Sequence, residues 1–294
     1  MKKYKPYLNR VDLVKNQVER EELREQEAKR KRSRSIQEQN RQRWLKYQEQ
    51  LRSELAARYF HSVMSTGGES FSNKFSVALD GTDDYIDCGT TLGDHLGNYT
   101  GDQTVSLWYK RTSSRIEGPF ILGNQNFAYG RGLGLLFVNN DLRISIQDNW
   151  RAAYTTTFDT NWHHVLYSAK NNGDNTFDLK LYLDGAPVID TTVNIGTSTL
   201  VLSPNIITWV VRASTYEFDG NIDEVAFWDS DQSANASAIY NGGGSGKPGN
   251  LASLNPLTWW RFEEGSGTTA TDSGTLGNDG TLEGPPIYST DIPS

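Results

Sequence analysis

The sequence predicts an all-β fold, a sandwich or barrel, preceded by a long N-terminal α-helical arm. Three observations predict it. Residues 12–64 contain no Gly and no Pro and are rich in Glu, Gln, Arg, Lys, Leu and Ala, all good helix formers. From Phe75 onward, short apolar and aromatic runs alternate with Gly, Asn and Asp turn signals. The charge also changes sign. Residues 1–64 carry 17 Lys+Arg against 9 Asp+Glu and the rest 12 against 27, so +8 and −15 make up the total of −7.

The arm is read first. Asp12 is a fitting N-cap and Gly67 a fitting stop. Between Glu19 and Arg43 only Leu23, Ala28 and Ile36 are apolar, so such a helix has no face to bury in a core of its own. Residues 15–43 also read as a disordered stretch. From Trp44 an apolar stripe begins, formed by Trp44, Leu51, Leu55 and Tyr59 and interrupted by Gln48. That spacing suits partner docking or a short coiled coil, with too few heptads to fix an oligomer state. The basic cluster RKRSR at 30–34 has no aromatic interleaving, so docking on an acidic protein surface is expected rather than nucleic-acid binding.

STGGESFSNK, residues 65–74, reads as a linker, and 75–294 as one β-domain. About 220 residues bury a sizeable core without staples. Cys88 is the lone cysteine, which excludes an internal disulfide. No apolar run reaches the roughly 20 residues of a membrane helix, so no membrane partner is expected. The start, MKKYKPYLNRVD, lacks an apolar h-region, so no signal peptide is expected. Eleven stretches read as strands, from FSVALD through WHHVLYSAK and GNIDEVAFWD to TWWRFEE; only Ser233–Tyr240 reads as helix, with Gly242 closing it.

KFSVALDGTDDYIDCG, QTVSLWYKR, NWHHVLYS, LKLYLDGAPV, FDGNIDEVAFWDSDQSANASAIYNGG and TWWRFEEGSGTTATDSGTLGNDGTL, taken in order, resemble the laminin-G-like, concanavalin A-like jelly roll. The resemblance covers 75–294. It implies two curved antiparallel sheets of six or seven strands each. The nearest likeness is to laminin-G-like domains in virion proteins of tailed phages of marine bacteria.

Several residues then invite chemistry. His163 and His164 are half of the chain's 4 histidines. Neighbouring side chains of a strand point to opposite faces, so these two cannot chelate one ion. Trp162, His164 and Leu166 are expected on one face and His163, Val165 and Tyr167 on the other, as structural residues of a strand entering the sandwich. Glycoside hydrolases also use this architecture and need two carboxylates across one cleft. In NIDEVAFWD, Asp223 and Glu224 are adjacent and expected on opposite faces, with Ile222, Ala226 and Trp228 packing inward or against a helix. No catalytic residue is therefore expected, and the chain is not expected to be an enzyme. No cofactor is expected beyond calcium, which takes six to eight oxygens. Its candidate ligands are Asp80, Asp83 and Asp84 in LDGTDD and Asp148 in IQDNW, and the resemblance implies such an ion on a loop rim. Sugar binding needs an aromatic platform beside polar groups. Asp148, Asn149, Trp150, Arg151 and Tyr154 offer one in a loop-like stretch.

The expected function is that of a phage virion structural protein, a capsid decoration or tail-fibre component assembled in the host cytoplasm. Residues 1–64 would anchor it to other virion proteins, and a homo-oligomer is expected. The sandwich would face outward toward cell-surface glycans. The alternative is a free-standing carbohydrate-binding protein on a coiled-coil stalk.

Overall fold

The structure, a computed structural model, describes residues 46, 71–92, 101–122, 133–146, 149–195, 208–210, 217–242, 244, 246–284 and 287–294. The expected arm, with Trp44, Leu51, Leu55 and Tyr59, lies outside the described residues, Lys46 excepted, and so does Asp148. The sandwich forms one unit, Phe71–Ser294.

Two eight-stranded antiparallel sheets face each other. The first runs β10 (Ala186–Asn194), β9 (Thr176–Leu183), β8 (Trp162–Asn171), β3 (Gln103–Arg111), β12 (Asp219–Trp228), β1 (Ser76–Asp80) and β16 (Ile287–Ser289), and β13 (Thr258–Trp260) also pairs with β12. The second runs β14 (Thr269–Ala270), β15 (Gly280–Glu283), β2 (Tyr85–Asp87), β11 (Thr208–Val210), β4 (Glu117–Leu122), β5 (Leu133–Val138), β6 (Asp141–Ile146) and β7 (Asn149–Thr155). Eight strands replace the six or seven that the resemblance implies. The strands that pattern reading misses are β7, β10, β14, β15 and β16. Exposure along most of the strand, as in β10, and lengths of two and three residues, as in β14 and β16, hide such strands from a hydrophobic signal.

Strand alternation builds the core. Val105, Leu107 and Tyr109 of β3 and Val165, Tyr167 and Ala169 of β8 point between the sheets, against Leu135, Phe137, Leu142 and Ile144 of the second sheet. The intervening residues of the first sheet form an outer layer. There Leu166, Ala226, Trp228 and Trp259 receive Ala236 and Ile239 of the short helix Ala236–Tyr240, which follows a 3₁₀ turn at Ser233–Asn235. Gly242 does not close that helix in a left-handed conformation. It is small because the backbone of Gly249 passes it, and a Cβ would stand 2.9 Å from the Gly249 Cα.

One alternation expectation fails. β12 carries a register shift between Asp223 and Ala226, and Glu224 has φ +49°. This bulge adds a residue. Ile222, Val225 and Phe227 keep facing inward while Asp223 and Glu224 both meet outer-face residues, not opposite faces as strict period two predicts. Ala226 and Trp228 pack against the helix as expected.

Candidate functional site

The expected sugar platform is not a loop. Residues 149–155 form β7, the edge strand of the second sheet, with Asn149 and Trp150 paired to Ile146 and Ser145. Tyr154 packs against the inter-sheet core, and Arg151 Nη1 donates to the Asn194 carbonyl at 3.4 Å. Arg151 and Tyr154 therefore serve the sandwich wall. The alternating polar and small residues of NWRAAYT mimic a loop when the partner strand is unseen.

The histidines of NWHHV do separate as expected. His164 is fully buried on the outer face beside Trp108 and Tyr240, with Nε2 2.8 Å from Ser106 Oγ. Burial lowers its pKa to about 3, so it stays neutral. His163 sits opposite Tyr109 across the β3–β8 pair and points to the inner side. There it lines a cleft of about 200 Å³ with Tyr109, Arg111, Thr156, Thr157, Phe158, Asp159 and Leu183.

Local structure fixes each wall. Asp184 and Gly185 turn β9 into β10 with φ +49° and +75°, the two positive values of a tight hairpin turn. That turn aims Asp184 back at β8: Oδ1 accepts from the His164 amide at 2.8 Å and Oδ2 lies 2.7 Å from His163 Nδ1. Asp159 takes the Asn161 amide at 2.7 Å and stands 3.0 Å from His163 Nε2. The hydrogen bond to Asp184 does most to lift His163, which burial opposes and Asp159 assists, so its pKa rises to about 9 and it carries a proton at neutral pH. Asp159 stays ionised: burial acts to raise it, and the Asn161 amide and His163 more than offset that. Arg111 is buried against Glu117, and Nη2 donates to the carbonyls of Arg115 and Asn139 at 3.2 and 3.0 Å. Its guanidinium lies 4.1 Å from the Phe137 ring centre and 5.6 Å from that of Phe158. Sequence reading treated His163 as structural. The signal for the cleft is Asp159 four residues before it and the DG turn some twenty residues after it, which only the β8–β9 hairpin register brings together.

Asp80, Asp83 and Asp84 lie together, with their ligand oxygens within 4.8 Å of one another. Asp84 is 2% exposed; Oδ2 accepts from the Asp80 amide at 2.9 Å while Oδ1 has no partner. Burial raises its pKa, the Asp80 amide opposes, and the Asp80 and Asp83 charges add to the rise. A buried carboxylate oxygen without a donor, facing two more carboxylates, fits a hard cation.

A second acidic group lies on the outer face. Asp223 accepts from Asn73 Nδ2 at 2.8 Å, and Glu224 from Trp259 Nε1 at 2.6 Å and Arg261 Nε at 3.3 Å. Residues 71–75, the first part of which reads as linker, are strapped over the pair. Phe71 stacks on Trp259 at 6.4 Å, Arg261 donates to the Ser72 carbonyl at 2.7 Å, and Glu263 takes the Lys74 amide at 2.9 Å. Burial raises both carboxyls, with the Glu224 charge adding for Asp223 and Arg261 opposing for Glu224.

The family model for Laminin_G_3, described as the concanavalin A-like lectin/glucanases superfamily, matches residues 80–239. The chain belongs to that superfamily. Every residue of the cleft lies inside the matched superfamily segment, whereas Phe71 and Asn73 precede it and Trp259, Arg261 and Glu263 follow it. Solved structures with a similar fold include a heptameric SAP-like pentraxin of Limulus polyphemus. It is 10% identical, with a TM-score of 0.47, over 74% of this chain and 95% of that one. The carbohydrate-binding module CBM40 of the Ruminococcus gnavus IT-sialidase, bound to α2,3-sialyllactose, is 13% identical with a TM-score of 0.44, over 58% and 99%. The NanB sialidase of Streptococcus pneumoniae is 15% identical with a TM-score of 0.40, over 56% and 28%. At such identities the likeness concerns the fold alone. A comparison with curated proteins gives no match.

Proposed function

We propose that this lectin-like jelly roll is a non-enzymatic glycan-binding module, displayed on a phage virion through residues 1–64. The observation that carries the glycan half is the cleft at His163. It sets an aromatic and apolar wall of Phe158, Tyr109 and Leu183 beside Asp159, Thr156 and Thr157, the pairing that a sugar's C–H face and hydroxyls require. The absence of catalysis is supported by an adjacent pair of raised carboxyls, Asp223 and Glu224, lying sealed under residues 71–75. Asp80, Asp83 and Asp84 would hold a calcium ion that stiffens the β1–β2 turn. No helix among the described residues is long and apolar enough to cross a membrane.

The virion half rests on the arm's net +8 against the sandwich's −15 and on the apolar stripe from Trp44 to Tyr59, a pattern suited to docking on a particle or to oligomerisation. Particles lacking this protein, mixed with full-length chain or with chain lacking 1–64 and then sedimented, test it. Co-sedimentation of the full chain alone supports the anchor. Co-sedimentation of neither, with sugar binding retained, leaves a free-standing carbohydrate-binding protein.

A further inference from the structure

We infer that the cleft at His163 takes an uncharged, hydroxyl-rich sugar and turns away acidic ones; this rests on the reading of the cleft as a sugar site.

A carboxylated sugar entering a half-desolvated cleft needs a cation that is not already matched. Among the described residues this cleft holds two cations, and each already has a carboxylate against it. The Arg111 Nε donates to Glu117 and its Nη2 to two carbonyls. His163 has a carboxylate on each ring nitrogen, at 2.7 and 3.0 Å. Two aspartates around one imidazolium leave an excess of one negative charge, and Arg111 with Glu117 adds nothing to it. The surrounding sandwich compounds this, since residues 65–294 carry a formal −15. An anion would meet repulsion at long range and at contact.

A neutral sugar meets the opposite. The Asp159 side chain is 40% exposed and holds lone pairs beyond those used by Asn161 and His163, so it accepts from ligand hydroxyls. Phe158 and Leu183 offer apolar surface to the ring's C–H face. A volume near 200 Å³ replaces about seven waters, room for one ring rather than a chain.

The full-length chain would be titrated at neutral pH with neutral methyl glycosides (gluco, galacto, manno and N-acetylglucosamine) and with glucuronic and N-acetylneuraminic acids. The ring signals of the 4 histidines would be followed by NMR. The expected result is saturable movement of the His163 signals by at least one neutral glycoside, with acidic sugars at least tenfold weaker. Phe158→Ala should abolish the movement while the His164 signal, which reports the far face, stays in place. Asp159→Asn should narrow the gap by raising affinity for the acidic sugars. Acidic sugars that bind as tightly as neutral ones would overturn the selection by charge but leave the glycan site standing. No movement by either class would overturn both.

Discussion

At the cleft, two carboxylates flank one imidazole, and all three side chains remain partly in water, His163 at 24% and Asp159 at 40% exposure. On the outer face of the same sheet, two adjacent carboxylates, Asp223 and Glu224, are 0% and 2% exposed and have a single guanidinium at 3.3 Å. The chemistry is the same and the outcome is opposite. Where solvent and geometry let each charge find a partner, the base is the group that shifts, upward. Where burial outruns the available cations, the acids shift upward instead. An open, matched cluster is available to a ligand, while a sealed, acid-rich one fastens residues 71–75 to the sandwich.

The largest expected effect breaks the sealed cluster. Arg261→Met would leave the acid pair without its cation and the Ser72 carbonyl without its donor. A loss of about 3 kcal/mol in urea unfolding at pH 7 is expected. A loss below about 1 kcal/mol would mean that the pair is wholly neutral, and the contrast with the cleft would then be one of protonation alone. His163→Gln is the matching change at the cleft. A raised folded-state pKa for a base gives stability that is full below about 6.5 and is lost as pH rises through about 9. The variant should therefore lose on the order of 2 kcal/mol at pH 7, discounted for partial exposure, and lack the wild-type decline toward pH 10.

Calcium probes the third acidic cluster. With calcium tenfold above its Kd, thermal or urea unfolding should show about 1.4 kcal/mol of stabilisation that Asp84→Asn removes. The smallest effect is Glu224→Gln. The raised carboxyl binds its proton more tightly when folded, so its contribution is present below the ordinary carboxylate range and fades as pH rises above it. The variant should flatten that decline by about 1 kcal/mol, and an unchanged profile would place the titration on Asp223 instead.

Much of the fold was legible because the signal was strong where burial is one-sided. TVSLWYKR and WHHVLYSAK alternate cleanly, and Leu107 lies opposite Val165 as that alternation requires. The Asp80–Asp84 cluster was legible too, since its members lie within five residues and need only one turn to meet. Residues 149–154 were read as a loop because an edge strand with polar alternation has the composition of one. Asp223 and Glu224 were misassigned because a single left-handed residue, which no local pattern demanded, reset the alternation of β12.

By itself the sequence determined the class of fold, the face of most strand residues and the charge contrast between 1–64 and the rest, all of which follow from composition and short-range period. The tertiary structure alone decided which polar groups meet. His163, Asp159 and Arg111 line one cleft, and Asn73, Glu224 and Arg261 form a clasp, only because strands distant in sequence are placed in register. Burial, and with it the shifts of His164, Asp223 and Glu224, is set by that register and by the layer that covers it.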